Sequence, residues 1–60
     1  MKRFLNVTDA TNGKAYSIFA DHIVSVQYDE DETFVTTVAY EISVVEKYED
    51  IMRALILLKD

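Results

Sequence analysis

The side chain best suited to moving a proton is His22, the one histidine of the chain, and Asp21 precedes it directly. Neighbours in extended chain point to opposite faces, so Asp21 and His22 do not make a dyad. They read instead as an aspartate capping a turn beside a half-exposed histidine. Ser17, Ser25 and Ser43 lack a nucleophile's setting, because no Gly-x-Ser-x-Gly occurs. Gly13, the single glycine, cannot form a phosphate-binding loop by itself. Catalysis needs paired groups within reach of one another. No catalytic residue is assigned, and the chain is read as not being an enzyme.

Metal chemistry fares no better. There is no cysteine, and one histidine cannot hold a transition metal alone. The run Asp29-Glu30-Asp31-Glu32 places Asp29, Asp31 and Thr33 at alternate positions, as at the start of an EF-hand loop. That loop needs glycine at position six and glutamate at position twelve, where this chain has Phe34 and Tyr40. The acidic run reads as a solvated hairpin turn. No metal or cofactor is expected.

Eleven acids against six bases give a formal charge of −5. Phosphate binding depends on clustered lysine and arginine, so neither nucleic acid nor an anionic membrane is an expected partner. The bases are scattered: Lys2, Arg3 and Lys14 near the first hairpin, and Lys47, Arg53 and Lys59 along the last segment. The aromatics Phe4, Tyr16, Phe19, Tyr28, Phe34, Tyr40 and Tyr48 could stack on bases, but a core this small needs bulk and they are read as core. Tyrosines with one wet end also suit a protein interface. The negative charge favours solubility and basic partners.

Sixty residues fit one domain, 1–60. A chain of this length buries only about 60% of the surface its unfolded form exposes. Such domains lean on disulfides, metals or a partner chain. With the first two removed, a homo-oligomer is the expectation. Lack of cysteine fits a reducing compartment. The basic start Met1-Lys2-Arg3 is not followed by the apolar run of a signal peptide, and no stretch reaches the ~20 apolar residues of a membrane span. A cytoplasmic protein is therefore expected, and the sequon Asn6-Val7-Thr8 is read as strand rather than as a glycosylation site.

Elements follow from periodicity. Lys2 to Thr8 reads as a strand with Leu5 and Val7 on one face and Phe4 and Asn6 on the other. Asn12-Gly13 predicts a type I′ hairpin turn, and Ala15 to Phe19 is the returning strand. After a break at Ala20-Asp21-His22, a third strand runs Ile23 to Tyr28, with Val24, Val26 and Tyr28 on one side and a wet face on the other. A fourth starts at Thr33. Either it continues to Val45, or a turn near Ala39-Tyr40 splits off a fifth. From about Lys47 the period becomes helical, with Tyr48, Ile51, Leu55 and Leu58 in one stripe. Glu46, Glu49 and Asp50 at its start and Lys59 at its end suit the helix dipole, and Glu49 and Arg53 are spaced i, i+4. The fold class is α+β: a four- or five-stranded antiparallel sheet, closing into a small open barrel as an alternative, with one C-terminal helix.

That helix carries surplus. Ala54-Leu55-Ile56-Leu57-Leu58 is apolar on every side. At ~100° per residue Leu57 points away from the stripe, and Met52 and Ile56 lie between. One small sheet cannot cover all of them, so either these side chains mark a partner surface, or the last turn tucks against the sheet edge, or it simply exposes one leucine.

Asn12-Gly13-Lys14, Tyr16-Ser17-Ile18, Asp21-His22-Ile23, Thr33-Phe34-Val35-Thr36, Val44-Val45-Glu46 and Tyr48-Glu49-Asp50-Ile51 occur in an order that resembles the FlbD family of very small bacterial flagellar-operon proteins. A glycine-containing turn of that pattern is replaced here by Ala39-Tyr40-Glu41. The resemblance implies a role in motility without enzymatic activity, and it carries over no site residue. In composition the chain is also similar to short acidic phage and mobile-element proteins that block host enzymes, some by imitating DNA phosphates. The expectation is a small non-enzymatic protein-interaction module, a homodimer through the helix. Its partner-binding residues would be Met52, Ile56 and Leu57, rimmed by Asp29, Glu30, Asp31 and Glu32. The alternative is an acidic inhibitor, or DNA mimic, of a nucleic-acid-binding enzyme.

Overall fold

The computed structural model describes residues 3–58. Five strands precede one helix: β1 (Phe4–Thr8), β2 (Ala15–Phe19), β3 (Ile23–Asp29), β4 (Glu32–Thr37), β5 (Glu41–Val44) and α1 (Tyr48–Leu58). A single 3₁₀ turn over Ala20–His22 links β2 to β3. The expected single sheet is instead two: an antiparallel β1-β2 pair and an antiparallel β3-β4-β5 sheet. The reason is a short seam. β1 meets β5 at one bridge, Asp9 to Val44, with Val45 N–H donating to Thr8 O (3.0 Å) and Ala10 N–H to Ser43 O (2.8 Å). Glu46 adds its carboxylate, which accepts the Thr8 N–H at 2.9 Å. β2 and β3 lie at the outer edges of the two sheets without pairing, so no barrel closes.

The core is aliphatic. Leu5, Val7, Ile18, Val35, Ile42, Val44, Ile51 and Leu55 form one buried cluster, with Val35 fully enclosed. Of the two faces read for β1, the one with Leu5 and Val7 is found here, as is the helical stripe through Ile51 and Leu55. None of the seven aromatics is fully buried, and of them Tyr16 packs against the core cluster from a half-buried position. Phe4 and Phe19 pair across β1 and β2 with ring centroids 4.5 Å apart, and His22 meets Phe19 edge-on at 5.3 Å. Both phenylalanines stand on the face opposite Leu5 and Ile18, because side chains alternate along a strand.

The first turn differs from expectation. Asn12-Gly13 does not form a two-residue I′ turn. Asp9 N–H donates to Lys14 O (2.9 Å) and Gly13 N–H to Asp9 O (2.8 Å), closing a wider loop in which only Gly13 takes a positive φ, +74°. The I′ signature lies instead at Glu30 (φ +49°) and Asp31 (φ +66°), a two-residue loop between the paired Asp29 and Glu32. The split after β4 is real, and Thr37 makes the turn that glycine would otherwise mark. Its hydroxyl donates to Tyr40 O (3.0 Å) and accepts from the amides of Ala39 (3.1 Å) and Tyr40 (3.0 Å).

A register shift between Ile23 and Ser25 makes Val24 a bulged residue. The alternation expected through Val24, Val26 and Tyr28 breaks there: Val26 packs on the core while Val24 is 65% exposed. At the far end, Arg3 Nη1 donates to Leu58 O at 2.5 Å, placing a cation on the C-terminal end of α1. Lys59, expected in that role, lies outside the described residues.

A tyrosine-lined acidic cleft and an exposed helix face

The I′ turn and the start of α1 meet around an open cleft of about 550 Å³. Thr33 of β4 and Val44 of β5, both buried, underlie it. Tyr28 of β3 and Tyr48 of α1 stand on it with ring centroids 6.2 Å apart and planes inclined by 54°. Asp31, Glu46 and Glu49 bring three carboxylates to the same lining, against one base, Lys47. Left-handed backbone at Asp31 carries its carboxylate to the Tyr28 hydroxyl, which donates to Oδ1 at 2.9 Å. That bond holds the Tyr28 phenol above its ordinary pKa, because it favours the protonated form; the charges of Asp31 and Glu49 act in the same direction.

The four acids predicted as a rim do not act alike. Asp29 and Glu30 are exposed at the hairpin tip. Asp31 turns to Tyr28, and Glu32 accepts the Ser43 hydroxyl across the sheet at 3.2 Å. Glu46 precedes the helix, and its carboxylate is committed to the β1 amide. Arg53 pairs with Asp50 at 3.8 Å, i, i+3, rather than with Glu49; both groups are exposed, so the pair adds little.

The second predicted surface lies further along α1. Ile56 and Leu57 are 67% and 71% exposed, side by side and turned from the core. Met52, predicted with them, is half-buried and packs against the core. The cleft and this face therefore occupy different ends of the helix. Asp21 and His22 sit exposed in the 3₁₀ turn, which has no side-chain cap at its start, so Asp21 does not cap it. Among the described residues no group of three His, Asp or Glu side chains converges on a point that could hold a metal ion, and no helix is long and apolar enough to cross a membrane.

Compared with protein-family models, curated proteins and solved structures, the chain matches none of them. What the surfaces can bind follows from their own residues. The tyrosine corner is the feature that sequence reasoning missed. Its signal was Tyr28 directly before the acidic turn and Tyr48 at the helix start, two residues read as core.

Proposed function

We propose that this chain is a small non-enzymatic protein-interaction module that self-associates through its C-terminal helix. The observation that carries the reading is the pair Ile56 and Leu57, adjacent on one helix and the two largest aliphatic side chains among the eight large hydrophobics left exposed in the described residues. A standard interface covers about 800 Å² per partner, roughly a fifth of the 4448 Å² surface of this chain. Ile56 and Leu57 would form its centre. The exposed stem of Arg53 and the half-buried Met52 extend it.

Light scattering over a dilution series tests this. The expected result is a dimer whose mass falls on dilution, and a Leu57→Glu variant that is monomeric at the same concentrations with an unchanged circular dichroism spectrum. A parent chain that is monomeric throughout overturns self-association.

A second reading, the acidic inhibitor of a nucleic-acid-binding enzyme, has one observation in its favour. Asp31 from the hairpin and Glu49 from the helix line one cleft, so the two acidic segments share a side of the molecule. It requires binding to a basic protein that weakens steeply with salt.

A further inference from the structure

The cleft between the I′ turn and the start of α1 combines features that select one kind of occupant. Tyr28 and Tyr48 line it with ring planes inclined by 54°, and the face of an aromatic ring is electron-rich and attracts a cation. The lining has three carboxylates and one base. The helix N-terminus would repel a cation, but Glu49 and Asp50 in the first turn offset its partial positive charge. The volume of about 550 Å³ falls within the ordinary range for ligand sites, so a single long side chain enters with room to spare.

We propose that this cleft binds one arginine side chain from a partner protein. A planar guanidinium stacks on one ring while its forked N–H groups reach a carboxylate, whereas an ammonium is a hydrated point that can do only the second. Asp31 is the principal acceptor: Tyr28 occupies one of its oxygens and leaves the other for the ligand. The binding deepens the interaction-module reading by naming partner chemistry. It does not depend on self-association, because Ile56 and Leu57 lie toward the other end of the helix.

The test uses the full chain, labelled with ¹⁵N, and a capped glycine peptide carrying one central arginine. Identical peptides with lysine or citrulline serve as comparisons. Expected are shifts of the Tyr28, Asp31, Val45 and Tyr48 amides and binding about fivefold tighter than for the citrulline peptide. Asp31→Asn, which asparagine tolerates at positive φ, weakens binding about fivefold. Asp29→Asn removes the same charge from the same turn outside the cleft and changes affinity less than about twofold. Equal loss in both variants would mean diffuse attraction to an acidic hairpin and would overturn the site. So would equal binding of the citrulline or the lysine peptide, or shifts that spare Tyr48 and Val45. Diffusion measured on the same samples reports the oligomeric state separately, so failure here and failure of the dimer are distinguishable.

Discussion

Replacing Glu30 by glycine should make this protein more stable, although it deletes a side chain from the hairpin tip. Glu30 has φ +49° in a two-residue loop. Left-handed backbone costs an L-residue about 1–2 kcal/mol, and glutamate, unlike asparagine or aspartate, has no short polar arm with which to recover it locally. Glycine escapes that cost but gives up about 0.4–1 kcal/mol through the freedom of the unfolded chain. The net gain is about 0.5–1 kcal/mol. For a domain of this size that raises Tm by about 3–6 °C. Glu30→Ala separates strain from charge, because it keeps the Cβ and removes the carboxylate. It should stay within about 0.5 kcal/mol of the parent, and that difference should vanish in high salt. Thermal unfolding of the three proteins at low and high salt is the assay. If the glycine variant is no more stable than the alanine variant, the turn is not strained at Glu30 and the reasoning fails.

Two further predictions concern the other hairpin. Gly13 has φ +74°, yet a Cβ there would meet nothing within 4 Å, so Gly13→Ala should cost only the conformational term, about 1 kcal/mol, read as a lower urea midpoint with unchanged slope. Thr11 donates both its hydroxyl (2.6 Å) and its amide (2.7 Å) to Asp9 Oδ1, and these bonds, the hydroxyl first, hold the Asp9 carboxyl below its ordinary value. A depressed folded pKa means that the Asp9 contribution is complete above the unfolded value of about 3.9 and is lost as pH falls through the lower folded one. Thr11→Ala should move the carboxyl titration of Asp9, followed by ¹³C NMR, upward toward the ordinary value; an unmoved midpoint would show that the hydroxyl is not the cause.

The α+β layout was legible because aliphatic residues carried it. Leu5 and Val7 alternate in β1, and Ile51 and Leu55 recur at helical spacing. These positions became the core. The aromatics misled, since size was taken as evidence of burial. In two thin sheets the interior is filled by branched aliphatics; Phe4 and Phe19 go to an outer face, Tyr28 and Tyr48 to the cleft, and Tyr16 packs on the core from its half-buried margin. Turn chemistry misled in a different way. Asn12-Gly13 is the stronger local signal for a tight turn, but the β1-β5 seam holds Asp9 and Ala10 and widens that loop. The register between Asp29 and Glu32 then forces two acids into the tight turn instead. Nothing in the residue pattern marks the bulge at Val24, which is set by pairing with β4. Of the cleft, the acids were visible as two separate clusters. Their meeting depends on β3 and α1 packing at one end, which no local pattern encodes.

The seam along β1 also sets an order of assembly. The pairings of β3 with β4 and of β4 with β5 join neighbours in the chain, as does that of β1 with β2, so both units can form by closing short loops, within microseconds. What unites them is late by construction. Thr8 must find Val45 and Glu46, and Arg3 must find the last carbonyls of the helix, 55 residues away. Loop closure of that span precedes any gain from burying the shared core. On the ribosome, residues 3–8 emerge before Val45, Glu46 and the helix that they contact. Because the two sheets and the helix share one core, neither half has an interior of its own, and the contacts between them carry the largest loop-closure cost in the fold.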